Sequence, residues 1–251
     1  MLGAIIGDVV GSLYELSSDK TKDFPLFAPG CRPTDDSIMT VAVGLACLDT
    51  DCRSDASFKN ALIRRMHELG REYPDAGYGG GFYRWLIYGD TAPYNSYGNG
   101  SAMRVSPVAW VATSLEEAET FAQWSAEVTH NHPEGIKGAQ AVAAAIYLAR
   151  DGKSKDEIRA YIEENYYDLS FTIDEIRPSY SFDVTCQGSV PQAIECFLES
   201  ENFEDAIRNA ISLGGDGDTQ AAMAQVSRLI ALLAAKYKEE KDRGGREEIL
   251  W

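Results

Sequence analysis

Two helical segments of the chain are joined by the stretch Gly214-Gly215-Asp216-Gly217-Asp218-Thr219. The two leading glycines release the backbone from helical geometry and permit close approach to a ligand. Asp216 and Asp218 then lie two residues apart in a tight turn. At that spacing both carboxylates can converge on one hard cation, with the hydroxyl of Thr219 beside them.

A second acidic stretch, Thr34-Asp35-Asp36-Ser37, lies toward the other end of the chain. Together the two stretches supply four carboxylates and two Thr hydroxyls, which exceeds the needs of one Mg²⁺ and suits two. Each stretch alone also fits an ordinary helix start, since Asp and Thr are favoured N-caps, and we expect Thr34 to cap its helix. The metal interpretation gains weight because both stretches open an apolar helix whose first turn can lie in the interior.

The composition is that of an ordinary globular protein with a strong negative charge. The chain has 251 residues, of which 45% are hydrophobic and 25% charged, enough for one large domain or two small ones. The formal charge of −16 argues against broad electrostatic binding to nucleic acid or to an anionic membrane. It does not exclude one anionic small molecule held at a cation-rich pocket.

Cysteine usage and hydropathy give the expected compartment. The five cysteines are odd in number and have no zinc-like spacing, so we expect a reduced, cytoplasmic protein. The apolar N-terminus lacks a basic region and contains Asp8, which does not fit a signal peptide. No run of about 18 uncharged apolar residues marks a membrane span. We expect no membrane association and a monomer.

Helical periodicity dominates the sequence. We count about nine or ten helices and almost no alternating strands, which predicts an all-α fold. We predict one domain over residues 1–251, a compact orthogonal bundle of helices with a central dinuclear metal site. The main predicted helices cover residues 34–48, 58–69, 82–88, 133–150, 191–198, 203–213 and 220–235. Residues 168–187 are predicted to be mostly loop, and residues 236–251 a charged tail.

Gly3, Gly7 and Gly11 recur every four residues and therefore share one face of the first helix. Such a face lets another helix pack very close, which indicates a central, buried helix. Glu15 continues the same row. The simplest interpretation places Glu15 at the end of the helix, facing solvent. We favour the alternative, in which the helix brings the Glu15 carboxylate to the centre of the fold.

Two glycine-rich segments are candidates for anion and sugar binding. The first, Gly77-Tyr78-Gly79-Gly80-Gly81, precedes a helix, and such an N-terminus is a ready anion site, although the Lys of a P-loop is missing. The second, Tyr94 to Arg104, is rich in glycine and in hydrogen-bonding side chains. It fits either a surface loop or a cradle for sugar and phosphate with backbone N–H donors. His130 and His132 lack a third ligand, so we do not predict a zinc site.

Taken together, five blocks of sequence resemble the ADP-ribosylglycohydrolases, the group that includes the dinitrogenase reductase-activating glycohydrolase. The blocks are Gly7-Asp8 with Glu15, Thr34 to Ser37, Gly98 to Arg104, Thr129-His130, and Gly214 to Thr219. They follow the family's order and cover residues 1 to about 225. Five matching blocks are much more specific than any one of them.

The resemblance implies a metal-dependent hydrolase that cleaves the N- or O-glycosidic bond between ADP-ribose and a modified side chain or related conjugate, releasing ADP-ribose. It implies an all-α fold with two Mg²⁺, or Mn²⁺ in some members, between the first and last helices. The implied metal ligands are Glu15, Thr34, Asp35, Asp36, Asp216, Asp218 and Thr219. The implied contacts to ADP-ribose are Gly79, Gly80, Gly81, Asn95, Ser96, Tyr97, Asn99, Gly100, Ser101, Met103 and His130.

In such chemistry, cleavage at the anomeric carbon develops oxocarbenium character, which nearby carboxylates stabilise. Glu15 is the candidate for the group that orients or activates the water, and Asp36 is the next candidate. Two alternatives stay open. Asp35-Asp36 on a helix also fits a Mg²⁺-dependent helical enzyme that processes diphosphates, and a non-catalytic ADP-ribose-binding relative would have the same motifs.

Overall fold

Helices make up the framework of the molecule. The computed structural model describes residues 1–226, and thirteen helices run through them without a strand among those residues. The prediction of an all-α fold is therefore confirmed. In chain order the helices are α1 (Leu2–Gly11), α2 (Asp35–Thr50), α3 (Asp55–Glu72), α4 (Gly80–Tyr88), α5 (Gly100–Met103), α6 (Ser106–Val111), α7 (Leu115–Glu127), α8 (Pro133–Arg150), α9 (Lys155–Asn165), α10 (Ile173–Ile176), α11 (Cys186–Glu199), α12 (Phe203–Ile211) and α13 (Gly217–Met223).

Helices α1 and α13 pack with their backbones in contact. An ideal Cβ placed on Gly7 would lie 2.4 Å from the carbonyl oxygen of Ala221, and one on Gly11 would lie 2.4 Å from Cα of Asp218. Only residues without a side chain permit such an approach. The prediction that the glycine row of α1 lets another helix pack very close is confirmed at these two positions.

Two groups of buried apolar side chains hold this pair of helices in place. The smaller group joins α1, α12 and α13 and includes Val10, Ile207 and Leu213. The larger group is built mainly from α2, α3, α7, α8 and α11 and includes Phe58 and Ile194. Each fully buried side chain of this size contributes about 1.5–3 kcal/mol relative to exposure. The acidic ends of α2 and α13 are thereby fixed by packing on both sides.

The end of α1 differs from the prediction. The helix stops at Gly11 and residues 12–16 form turns, so the placement of Glu15 on a continuing helical row is wrong. The physical reason lies in the backbone. After Gly11 its hydrogen bonds join residues three apart, instead of the four of an α-helix. The N–H of Tyr14 donates to the carbonyl oxygen of Gly11 at 2.7 Å, and that of Ser17 to Tyr14 at 2.9 Å.

Later bounds differ as well. Helix α11 begins at Cys186 instead of residue 191, because Thr185 caps it by accepting from the N–H of Gly188 at 3.1 Å, and Pro191 lies inside the helix. Helix α10 lies in the segment predicted to be loop and begins with a capping box between Thr172 and Glu175. The predicted continuation of the last helix to residue 235, and the charged tail, lie largely outside the described residues.

None of the helices within residues 1–226 combines the length and the hydropathy needed to cross a membrane.

Candidate active site

A cavity of about 360 Å³ opens beside the N-termini of α2, α4, α5 and α13. One wall is acidic, and the opposite wall consists of glycines, aromatic rings and hydrogen-bonding groups. The sequence-predicted site residues on its wall are Glu15, Asp35, Asp36, Asp216, Asp218, Thr219, Gly79, Gly80, Gly81, Ser96, Asn99, Gly100, Met103 and His130. The fold thus brings both acidic stretches and both glycine-rich segments to one place.

Three residues predicted to contact ADP-ribose do not line this cavity. The backbone N–H of Asn95 donates to Asn131 Oδ1 at 2.8 Å. The ring of Tyr97 packs on that of His132 with centroids 5.3 Å apart. Ser101 is fully buried, and its hydroxyl donates to the carbonyl oxygen of Gly135 at 2.7 Å. Their contacts fix the shape of the loop behind the wall.

Asp8 reaches the acidic wall from the middle of α1. Its carboxylate accepts hydrogen bonds from the N–H of Thr34 at 2.9 Å and of Ser37 at 3.0 Å, and from Thr34 Oγ1 at 2.5 Å. Asp8 thus caps α2. The prediction that Thr34 does so is wrong, since its side chain makes no capping bond. Negative charge is favoured at a helix N-terminus, so α2 itself stabilises the buried Asp8 carboxylate.

Asp8 was not among the metal ligands that the sequence implied. A carboxylate inside an otherwise apolar helix was the available signal, because such a group is costly to bury without specific partners. The partners themselves lie on another helix, 26 and 29 residues away along the chain. Sequence spacing could not identify them.

Two groups of three carboxylates could each hold a metal ion. One contains Asp8, Asp36 and Asp218, and the other contains Glu15, Asp216 and Asp218. Within each group the ligand oxygens lie within 4.8 Å of one another. Asp218 belongs to both, so two ions bound here would share it. Oxygen ligands of this kind are those that hard cations such as Mg²⁺ prefer.

The residues fit such ions because the described protein leaves their charge uncompensated. Oδ1 of Asp36 is buried and has no hydrogen-bond partner within residues 1–226. The ion pairs found over that part of the chain involve neither Asp36 nor Asp8 or Asp218. Burying unpaired carboxylates is expensive, and cations are the compensation that the donor set suits.

Burial and mutual repulsion raise the pKa values of the cluster. Burial, and then the charge of Asp218, raise the pKa of Asp36 well above its ordinary value. Burial, and then the charge of Asp216, raise the pKa of Asp35 to about 8. The same two causes raise the pKa of Glu15. Because a cation favours the ionised form of its ligands, protons would compete with any metal ion bound here.

Neighbouring polar groups orient the carboxylates. Asn99 Nδ2 donates to Asp216 Oδ2 at 2.7 Å, which ties the second glycine-rich segment to the acidic stretch. Thr219 Oγ1 donates to Asp36 Oδ2 at 3.2 Å, and so links α13 to α2. Thr34 Oγ1 lies 3.4 Å from Asp218 Oδ2. The two Thr residues that were predicted to be metal ligands therefore orient the carboxylates of Asp36 and Asp218.

Glu15 and Asp35 lie at the edge of the acidic wall. Glu15 is half-buried on the turn after α1 and still comes within ligand distance of the Asp216 and Asp218 carboxylates. Asp35 is half-buried and lies outside both groups of three. An ideal Cβ on Gly77 would lie 3.5 Å from its Oδ1.

The opposite wall leaves room for a ligand. Ideal Cβ atoms on Gly79 and Gly80 would meet no atom within 4 Å. An ideal Cβ on Gly100 would lie 3.1 Å from Nε2 of His130, so this glycine keeps the imidazole edge accessible. Phe182 borders the cavity and is 46% exposed. No sequence motif indicated a role for Phe182, because it lies in a segment predicted to be loop.

The family model described as ADP-ribosylglycohydrolase matches residues 1–225. The chain therefore belongs to the ADP-ribosylglycohydrolase family, and the resemblance carried by the five blocks is confirmed. Membership in this family makes the chain an ADP-ribosyl hydrolase.

Individual relatives agree with the assignment. ADP-ribosylhydrolase ARH3 of Mus musculus is 29% identical over 89% of this chain and 80% of its own length. The Homo sapiens protein of the same name is 27% identical over 89% and 82%. ADP-ribosylarginine hydrolase Tri1 of Pseudomonas putida (strain GB-1) is 27% identical over 89% and 67%. A solved structure described as an ADP-ribosylglycohydrolase-related protein complex shares the fold, with a TM-score of 0.63 at 20% identity over 89% of this chain and 84% of its own.

Proposed function

We propose that this enzyme is a divalent-metal-dependent hydrolase that cleaves the N- or O-glycosidic bond between ADP-ribose and a modified side chain or related conjugate. The main support is the pair of acidic groups that share Asp218 and face a glycine-lined cavity. The names of the relatives, an ADP-ribosylhydrolase and an ADP-ribosylarginine hydrolase, support the class of substrate.

The proposed cofactors are two Mg²⁺ ions, or two Mn²⁺ ions. The residues that would hold them are Asp8, Asp36 and Asp218 for one ion, and Glu15, Asp216 and Asp218 for the other, with Thr34, Asp35 and Thr219 beside them. When bound, the ions would supply Lewis-acid stabilisation of ribose oxygens and a more acidic water. Asp8 is an addition to the ligand set that the sequence implied.

Glu15 is the proposed general base. Its carboxylate oxygen would take a proton from the attacking water, because Glu15 lies at the cavity edge, where both water and substrate can reach it. Asp36 is less suited, since it is 2% exposed and already accepts a hydrogen bond from Thr219. The surrounding carboxylates would stabilise the oxocarbenium character that develops at the anomeric carbon.

The glycine-rich wall is the proposed site for the diphosphate and sugar of ADP-ribose. Helix α4 begins at Gly80, and its N-terminal N–H groups point toward the cavity end of the helix, where anions are favoured. The open space beside Gly79 and Gly80 permits a phosphate to approach the backbone. The volume of about 360 Å³ lies within the usual range for small-molecule pockets.

One assay separates this function from its alternatives. The protein would be offered ADP-ribosylated arginine, serine and nucleic-acid substrates with Mg²⁺ or Mn²⁺, and free ADP-ribose would be followed with and without chelator. Metal-dependent release of intact ADP-ribose is the expected result. Release of phosphate or pyrophosphate would instead indicate a diphosphate-processing enzyme, and binding without turnover a non-catalytic relative. A single domain over residues 1–251, a monomeric state and a cytoplasmic location stay predictions.

A further inference from the structure

Three buried side chains at the glycine-rich wall of the cavity are connected by hydrogen bonds. Arg104 Nη2 donates to Thr129 Oγ1 at 2.9 Å, and Thr129 Oγ1 lies 2.7 Å from His130 Nδ1. None of the three is more than 5% exposed. Arg104 Nη2 also donates to the carbonyl oxygen of Ser125 at 2.8 Å, which fixes the guanidinium.

The chemistry of the donors determines which group donates in each of these hydrogen bonds. A guanidinium only donates, so Thr129 Oγ1 accepts from Arg104. Within residues 1–226 the hydroxyl has no hydrogen-bond partner besides Arg104 and His130, and its single proton therefore goes to Nδ1. The opposite direction, with Nδ1–H donating, would leave the buried hydroxyl proton without an acceptor, which is costly.

The protonation state of the ring follows. Burial, and then the nearby charge of Arg104, lower the pKa of His130 well below its ordinary value, so the ring is neutral. In a neutral imidazole one nitrogen accepts and the other carries the proton. Because Nδ1 accepts from Thr129, the proton lies on Nε2.

The Nε2 edge faces the cavity. Ideal Cβ atoms on Gly98 and Gly100 would lie 3.7 Å and 3.1 Å from Nε2, so the absence of side chains there leaves the nitrogen accessible. His130 and both glycines line the cavity. No residue of the described chain accepts a hydrogen bond from Nε2, which leaves this donor for a bound molecule.

We propose that Arg104 and Thr129 are positioning residues that hold His130 as the neutral tautomer with its proton on Nε2, so that Nε2–H donates to an oxygen of the bound ligand. The identity of that ligand, ADP-ribose, rests on the proposed function. The tautomer itself rests on the hydrogen bonds of the free protein and on the burial of the ring beside Arg104.

The tautomer is tested by long-range ¹H–¹⁵N spectra of the free protein labelled at histidine. The chain has three histidines, and His130→Gln assigns the signals of interest by their loss. The expected result is an Nε2–H pattern for His130 that persists to mildly acidic pH. Thr129→Val keeps the shape and removes the hydroxyl, so the unprotonated Nδ1 loses its hydrogen bond and its ¹⁵N signal should shift. Thr129→Ser keeps the hydroxyl and should restore the parental signal.

The ligand contact is tested by calorimetry with ADP-ribose. Thr129→Val should weaken binding by about threefold to tenfold, the effect of one ordinary hydrogen bond, and Thr129→Ser should bind close to the parent. Circular dichroism shows whether each variant is folded. If Thr129→Val does not fold, the parent spectra and Thr129→Ser still decide the tautomer.

The outcomes separate the two proposals. An Nδ1–H pattern in the parent, or an unchanged Nδ1 signal in folded Thr129→Val, overturns the role of Arg104 and Thr129. A parent protein that binds no ADP-ribose counts against the proposed function and removes the ligand contact. In that case an Nε2–H pattern in the free protein still supports the positioning of His130.

Discussion

Gly11 and Asp218 meet backbone to backbone, such that an ideal Cβ on Gly11 would lie 2.4 Å from Cα and 2.7 Å from the backbone nitrogen of Asp218. Asp218 is the carboxylate shared by both candidate metal groups. Its position is therefore set by the packing of α1 against α13. The same contact that closes the fold also positions the central carboxylate of the candidate metal site.

Gly11→Ala should damage the fold and the site together. Its Cβ would meet backbone atoms, which cannot rotate away, so we expect a loss of about 1–3 kcal/mol or more in the free energy of unfolding. Any folded fraction should bind metal more weakly, because Asp218 must shift. Gly80→Ala is the matched control, since a Cβ there meets nothing within 4 Å. Denaturant unfolding of both variants checks this, and equal stability would show that the helices can separate freely.

The shared carboxylate predicts an asymmetry among metal-site variants. Asp218→Asn should weaken the binding of both ions. Asp8→Asn and Asp216→Asn should each weaken mainly the binding of one ion. Removing one partner of a buried ion pair costs about 3–5 kcal/mol, so an affected site should lose about a hundredfold or more in affinity. Mn²⁺ titration followed by calorimetry or electron paramagnetic resonance gives the stoichiometry. Two ions retained at parental affinity by Asp218→Asn would contradict the shared ligand.

Metal-free protein should lose stability as the pH rises. The folded-state pKa of Asp35 is raised to about 8, while an unfolded Asp titrates near pH 4. Between these values the folded chain binds more protons than the unfolded chain, so the carboxyl stabilises the fold when protonated and that contribution is lost with rising pH. The slope has an upper limit of about 1.4 kcal/mol per pH unit for each such group.

Thermal unfolding in chelator between pH 4 and 8 measures this slope. Asp35→Asn, which cannot ionise, should reduce the slope by the share of that one group, and Asp19→Asn, at an exposed position, is the control. Saturating Mg²⁺ should also flatten the slope, because the cation favours the ionised carboxylates. A metal-free protein that gains stability over this range would show that other groups dominate the linkage.

Glycine spacing and helical periodicity made the framework predictable. Gly7 and Gly11 lie one turn apart, and a repeat of four residues identifies a helix face without knowledge of its partner. Periodicity could not show that α1 ends at Gly11. Turns whose hydrogen bonds join residues three apart can have the same sequence pattern as a continuing helix. Glu15 nevertheless reaches the site, because the turns return the chain toward Asp216 and Asp218.

Side chains whose roles depend on distant partners were not predictable. Asp8 acts on Thr34 and Ser37, which belong to another helix. Ser101 lies in a motif typical of a ligand cradle, yet its hydroxyl bonds to Gly135, 34 residues later. The direction of a side chain in a loop is decided by such contacts and not by the loop's composition.

Bulk at Gly100 should block the ligand and spare the fold. An ideal Cβ would lie 3.1 Å from Nε2 and 3.3 Å from Cε1 of His130, and the branched side chain of Gly100→Val would project further into the cavity. Calorimetry should show ADP-ribose affinity lost, with the helical circular dichroism spectrum retained. Ala56→Val, at an exposed position of α3 outside the cavity lining, is the control for added side-chain bulk. Unchanged affinity in folded Gly100→Val would place the ligand elsewhere.

Glu15 is the residue on which the proposed mechanism depends most. It lies on the turn that follows α1, at the edge of the cavity, with its carboxylate within 4.8 Å of ligand oxygens of Asp216 and Asp218. Glu15→Gln keeps the size and an oxygen that can bind metal but removes the basicity. A general base contributes about 10²–10⁴-fold to rate, so kcat should fall by that range while ADP-ribose affinity changes little. Asp19→Asn, on the same segment and exposed, should turn over at the parental rate.

The pH profile gives a second test of Glu15. Burial and the Asp216 charge raise the pKa of Glu15, so the kcat of the parent should fall at acid pH as this carboxylate is protonated. Glu15→Gln should lack this decrease of kcat at acid pH. Turnover of Glu15→Gln near the parental rate would transfer the role of base to another carboxylate, with Asp36 examined first. Loss of metal and ADP-ribose binding together would make Glu15 chiefly a structural ligand and contradict its role as base.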